Sequence, residues 1–227
     1  MKLSLLRMII IGVALYVAFF AVKYALANIS YLKVDAYLER WHKNEQLTDE
    51  ELADALKAAN TMLALHGHFP HYLNVAAKVH EWKAYKHNQE PDVYNQSLAD
   101  ALALYQESVE VRLHWPLTWS SMANIKANLN QFDDDFYHYY QQAIKFGPYM
   151  SEVNVELSKI KLRNWNQMQG ESTKLALEQI KRALLNNKAR WKLLKYSKSI
   201  NKHHVVCTVG RLNKIKQVSN NRVCKQK

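Results

Sequence analysis

His66, His68 and His71 fall within six residues and His80 follows nine further on, a spacing at which imidazoles can converge on a metal ion. His66-Gly67-His68 straddles an expected helix break beside Phe69-Pro70, however, where polar residues cover helix ends, and no metal site is assigned there. Asp133-Asp134-Asp135 could hold a cation or work as acid and base, but a helix start has unpaired N–H groups and partial positive charge that account for three acids. Trp115, Trp119, Tyr149 and Trp165 have faces that could stack on sugar rings. Trp119 and Trp165 are read as core residues. Trp115 and Tyr149 stand at hairpin ends and, with Arg112 and Glu152, are the candidate contacts for a protein partner or a glycan. A glycosidase needs two opposed carboxylates, and the sequence pairs none with Glu152. No catalytic residue is assigned.

Cys207 and Cys224 enclose 16 residues, a length that could close a disulfide in an oxidising compartment or leave two free thiols; the spacing is not that of a redox or zinc pair. The five glycines (12, 67, 147, 170 and 210) are too scattered for a phosphate-cradling loop or a nucleophile elbow. No cofactor is expected.

The elements that must position these residues are helical. A period of 3.6 dominates residues 47–187, and five Gly with four Pro in 227 residues leave little material for turn-rich folds. Thr48-Asp49-Glu50-Glu51 is a capping box, in which the Thr48 hydroxyl accepts from the Glu51 N–H and the Glu51 carboxylate reaches back. The stripe Leu52, Leu56, Ala59, Leu63 follows, ended by Gly67 and Pro70. Further helices are expected at about 71–87, 92–112, 116–130, 132–146, 149–168 and 172–187, with a one-residue turn between the third and fourth of these. Such short connections force antiparallel neighbours. Tyr105, Ser108 and Leu113 recur as Tyr140, Ala143 and Pro148 and as Ile180, Ala183 and Lys188, at offsets of 35 and 40 residues. Those offsets lie near the 34 of a tetratricopeptide (TPR) repeat. Trp119, Met122 and Ala123, like Tyr72, Val75 and Ala76, supply first-helix signatures. The expected fold is all-α: an N-terminal transmembrane helix followed by TPR-like antiparallel helical hairpins, an α-solenoid.

Three regions follow. Residues 1–32 read as a membrane anchor or a signal peptide. Met8 to Val22 has no charge, Leu3 to Val22 is long enough to span if Arg7 and Lys23 snorkel, and Ala25-Leu26-Ala27 has the small-x-small form of a cleavage site. Residues 33–188 are the repeat domain. Residues 189–227 are a basic tail, expected to be poorly ordered. The formal charge of +11 belongs to the ends: residues 33–170 carry 13 basic and 18 acidic groups, whereas residues 171–227 carry 15 basic and 2 acidic. Charge on either side of the span nearly ties for orientation, and a basic N-terminus opening into an apolar run favours export. The body is therefore expected in the periplasm, which removes nucleic acid as a partner and leaves anionic lipid or an acidic glycan for the tail.

Arg112-Leu113-His114-Trp115-Pro116-Leu117-Thr118-Trp119, followed by Lys126, Phe132-Asp133, Phe136, Ala143, Gly147-Pro148-Tyr149 and Trp165, resembles the VpsP family of bacterial exopolysaccharide-biosynthesis proteins over about residues 1–188. Leu113 stands where that family has Pro, Tyr149 replaces Trp, and Met150-Ser151 lacks the Glu-Pro continuation. The resemblance implies a role in making or exporting a surface polysaccharide at the bacterial inner membrane, alongside other polysaccharide-assembly proteins. The expected function is thus a single-pass, non-enzymatic helical-repeat scaffold for protein–protein interaction in exopolysaccharide biosynthesis. Its alternatives are a general cell-envelope chaperone or assembly factor using a TPR-like groove, and a glycan-binding or glycan-active protein.

Overall fold

The computed structural model describes residues 2–43 and 46–225, and among them eleven helices and no strand occur. The chain forms two compact units that divide after Leu113. The first holds α1 (Lys2–His42), α2 (Asp49–His66), α3 (Pro70–Lys86) and α4 (Pro91–Val111). The second holds α5 (Pro116–Asn128), α6 (Asp134–Phe146), α7 (Ser151–Arg163), α8 (Glu171–Leu185), α9 (Asn187–Ser199), α10 (His203–Leu212) and the single-turn α11 (Lys216–Ser219). Met1 of the expected anchor and Gln226 and Lys227 of the expected tail lie outside the described residues.

Local chemistry fixes the boundaries. Pro70, Pro91 and Pro116 each begin a helix, where the missing N–H costs nothing. Thr48, Asp133 and Asn186 cap α2, α6 and α9 by accepting from the N–H three residues on. The capping box is half as expected, because Glu51 Oε1 meets Arg40 at 2.8 Å and Oε2 accepts from Trp41 Nε1 at 3.2 Å. The expected one-residue turn after α5 is five residues long, with Asn130 left-handed at φ 56° before the Asp133 cap.

Each unit is a set of TPR-like antiparallel hairpins: α1/α2 and α3/α4 in the first, α5/α6 and α7/α8 in the second. First helices also lie on one another, α1 on α3 and α5 on α7 on α9. The first two positions of each repeat set read from the sequence point into these seams, whereas of the third positions Leu113 and Lys188 are exposed and Pro148 is half-buried. Tyr72, Val75 and Ala76 on α3 and Trp119, Met122 and Ala123 on α5 are buried, as are Tyr105 and Ser108 on α4, Tyr140 and Ala143 on α6, and Ile180 and Ala183 on α8.

Two expected boundaries are corrected. The helix of the expected anchor does not stop at residue 32: α1 continues without a break to His42, since Gly12 is the sole Gly before Gly67 and no Pro precedes Pro70. Its second half enters the core of the first unit through Ala27, Val34, Leu38 and Trp41. Its first half is apolar, with mean hydropathy 2.2 over 18 residues that bury nothing, and is long and apolar enough to cross a membrane. The tail is the second correction. Residues 187–219 form α9, α10 and α11, whose Leu193, Leu194, Val206, Val209, Ile215 and Val218 share one core with Leu162, Ile180 and Leu184. Cys207 and Cys224 are joined as a disulfide with Cα atoms 5.4 Å apart. Gly210 lets α11 approach, since a Cβ there would lie 2.8 Å from Val218 Cβ.

Candidate interaction surface

The four candidate contacts are distributed between the units. Arg112 is the exposed C-cap of α4 in the first. Trp115, Tyr149 and Glu152 belong to the second, where Trp115 is the half-buried N-cap of α5. The loop carrying Tyr149 is drawn to that same helix end. Gly147 sits so close to Pro116 that a Cβ would lie 2.7 Å from the proline Cβ, which brings the Trp115-Pro116 and Gly147-Pro148-Tyr149 segments together.

Tyr149 is 86% exposed, the extreme among the large apolar and aromatic side chains described. One neighbour orders it, with the Arg182 guanidinium 5.2 Å from its ring centroid. Arg182 is itself held, donating to the Pro148 carbonyl at 2.8 Å and to Glu178 at 3.2 Å. Arg182 was missed because it lies 34 residues beyond Pro148 and no local pattern links them. Glu152 stands exposed in the first turn of α7. Its own backbone N–H and the Ser151 hydroxyl, 2.9 Å away, hold its carboxyl below the usual range, with help from Lys192 and Lys188. A carboxyl so stabilised as the anion is a poor proton donor at neutral pH.

A second feature of this unit had no sequence signal. A cleft of about 430 Å³ lies between α8 and α10, its walls formed by Trp165, Leu177, His204, Val205, Val209 and Leu212. It opens between a residue thought to be simple core and a segment thought to be disordered. Leu212 at its rim is 78% exposed.

Several buried or half-buried ionisable groups are engaged structurally. Lys126, with only 8% of its side chain exposed, meets Asp133 at 2.6 Å and Asp135 at 3.7 Å, so the acidic triplet caps α6 and neutralises a buried cation. Lys161, 1% exposed, donates to the Trp165 and Met168 carbonyls and to Thr173 Oγ1, fastening the α7–α8 loop; burial lowers its pKa. In the first unit Glu81 joins half-buried Lys78 at 2.8 Å and accepts from the buried Tyr105 hydroxyl, whose pKa burial raises. The histidines are dispersed. The His66 ring lies parallel to Phe69 at 5.2 Å, His71 meets Tyr31 edge-on, His68 is 92% exposed, and His80 sits 3.5 Å from Asp100. Among the described residues no three His, Cys, Asp or Glu side chains gather as a metal site.

No family model matches the chain, and no curated protein matches it either.

Proposed function

We propose that this chain is a membrane-anchored, non-enzymatic adaptor that scaffolds proteins of exopolysaccharide biosynthesis or export, with its body on the periplasmic face of a bacterial inner membrane. The observation that carries the reading is a helix of spanning length continued directly into helical hairpins, whose buried ionisable groups cap helices and fasten loops. Such hairpins display ridges and grooves to a protein partner. Anchoring raises the effective concentration of any partner in the same bilayer. The Cys207–Cys224 disulfide supports an oxidising compartment. Retention of the anchor is favoured by the small-x-small tripeptide lying inside the unbroken helix α1, with Ala27 packed in the core of the first unit. The polysaccharide role rests on the sequence resemblance, and the contact of Gly147 with Pro116 joins the two motif segments that carry it.

The test is deletion with complementation in the source bacterium, with crosslinking in intact envelopes. Surface polysaccharide should fall, and glycosyltransferase, polymerase or export subunits should be recovered on the chain. Undiminished polysaccharide after deletion would refute the role. The apolar cleft between α8 and α10 favours a second reading, a chaperone that takes an apolar segment of an envelope protein. Broad outer-membrane protein defects with intact polysaccharide would select it.

A further inference from the structure

The lysines of the second unit follow two regimes. On α7 and α8 three solvent-reaching lysines, exposed Lys174 and half-buried Lys159 and Lys181, have an acid three residues earlier: Lys159 meets Glu156 at 2.7 Å, Lys174 meets Glu171 at 3.0 Å and Lys181 meets Glu178 at 3.2 Å. On α9 that pairing stops. Lys188, Lys192, Lys195 and Lys198 are all exposed, and none has an ion pair or hydrogen bond to another described residue. The acid nearest them in effect is Glu152, which feels Lys192 and Lys188 across α7.

These four lysines surround one aromatic side chain. At 100° per residue, positions 188, 191, 192, 195 and 198 fall within about 120° of the helix circumference. The opposite face, Ala189, Leu193, Leu194 and Ser197, is buried. Trp191, on that outer face between Lys195 and Lys198, is 63% exposed, with Lys195 Nζ 5.4 Å from its ring centroid. Leu185, just before the α9 cap, is also 63% exposed. A large indole left in water among unpaired cations is costly for a face with no partner, and Trp with Lys is the composition of helices that lie in the headgroup region of a bilayer. The ionic half of that match is charge complementarity to anionic headgroups. The chain carries the means of bringing the face there, because α1 is long and apolar enough to hold the molecule at a membrane.

We propose that the outer face of α9 docks on a bilayer rich in anionic headgroups, with Trp191 entering the interfacial region and Lys188, Lys192, Lys195 and Lys198 on the lipid phosphates. This inference rests on anchoring by α1 and is independent of the polysaccharide role.

The full chain, reconstituted in vesicles of brominated phosphatidylcholine with or without one quarter brominated phosphatidylglycerol, tests it. Emission of wild type minus that of Trp191→Phe isolates Trp191 from the other five tryptophans. That difference should fall at least twofold when phosphatidylglycerol is present and stay unquenched in phosphatidylcholine alone. Each lysine adds roughly fivefold to partitioning, so Lys192→Gln/Lys195→Gln should weaken docking about 25-fold and abolish the quenching. Its thermal melt should not change, since both side chains are exposed. Equal emission in both vesicles while the chain co-floats with them overturns the docking and leaves the anchor standing. Failure to float with neutral vesicles overturns the anchor and the docking together. A Trp191 response to soluble polygalacturonate without bromolipid quenching overturns it in favour of an acidic glycan.

Discussion

Asp133→Ala should be the most informative single change in the second unit, because the carboxylate does two separable things. Oδ1 accepts from the Phe136 N–H at 3.0 Å as the cap of α6, and Oδ2 meets Lys126 Nζ at 2.6 Å. The cap is worth about 1 kcal/mol. Losing one member of a fully buried ion pair costs about 3–5 kcal/mol. Here Asp133 is 50% exposed and Asp135 remains 3.7 Å from the ammonium, so screening reduces that part to about 1–2 kcal/mol. The total of about 2–3 kcal/mol corresponds to roughly 10 °C in the melting of a unit this size. Asp133→Asn keeps the cap and should cost only the ionic part. Lys126→Met removes the buried cation and leaves a hydrated, still-capping Asp133, at a cost below about 1 kcal/mol. Lys126 holds the Asp133 carboxyl below its usual range, so its contribution is complete above the unfolded value of about 3.9 and disappears as pH falls through the folded value. Thermal melts of the full chain in detergent, with hydrogen exchange on peptides of residues 114–146, measure the order. Lys126→Met as damaging as Asp133→Ala, or a gap between wild type and Asp133→Ala that does not narrow towards the cap's share as pH falls through the folded value, would refute the reasoning.

Three further outcomes follow from the packing. Gly147→Ala places a methyl against Pro116 and should cost about 1–3 kcal/mol, read as a lower melting temperature of the second unit. Reduction of the disulfide, or Cys207→Ser with Cys224→Ser, releases a constraint across 17 residues and should cost about 3 kcal/mol; exchange should rise first in α10 and α11. Burial, helped by the nearby Lys83 ammonium, holds the His80 imidazole below its usual value despite the Asp100 carboxylate, so the unfolded chain binds the proton more readily. Stability of the first unit should be full above about pH 6.5 and decline as pH drops through the folded value, and His80→Phe should flatten that decline in a melt series from pH 7.5 to 5.

What the sequence disclosed was what short-range chemistry decides. Pro at a first turn, an acid or hydroxyl at a cap, and Tyr or Trp three and four residues from a small residue act within one turn of helix, so the helices of residues 47–187 and their seam residues could be read directly. The acidic triplet was legible for the same reason, although buried Lys126, seven residues earlier, was not. Contacts that close over distance left no trace in spacing. Arg182 reaches Pro148 and Tyr149 across an intervening helix. The tail shows why disorder was the wrong expectation: Val206 lies on the ten-residue α10 and Ile215 and Val218 at and on the four-residue α11, elements too short to show a sustained period, and Leu193 lies on α9 among lysines. They become a core only when the helices fold back on Leu162 and Ile180. Of the four candidate contacts, Tyr149 has the exposure expected of it. Glu152 is tied to Ser151 and to the start of its own helix, which a search for paired carboxylates could not anticipate.

The continuity of α1 bears directly on how an adaptor of this kind would work. Met8 to Val22 alone would cover about 22 Å, short of a hydrocarbon core of about 30 Å. In the structure no residue from Leu6 to Leu26 is buried, so the segment available to lipid covers about 32 Å. The same helix then buries Ala27, Val34, Leu38 and Trp41 against α2 and α3, with Lys33 bonded to Asp54 at 2.7 Å and Arg40 to Glu51 at 2.8 Å. No flexible linker separates the span-length segment from the first hairpin. A tether built with Gly and Ser would let that hairpin sample a hemisphere above the bilayer, whereas a shared helix holds it at one angle to the span. That rigidity gives a physical reason for the scarcity of Gly and Pro in the first 69 residues: a break between Val22 and Ala27 would leave both halves folded and lose the fixed angle between the span-length segment and the hairpin.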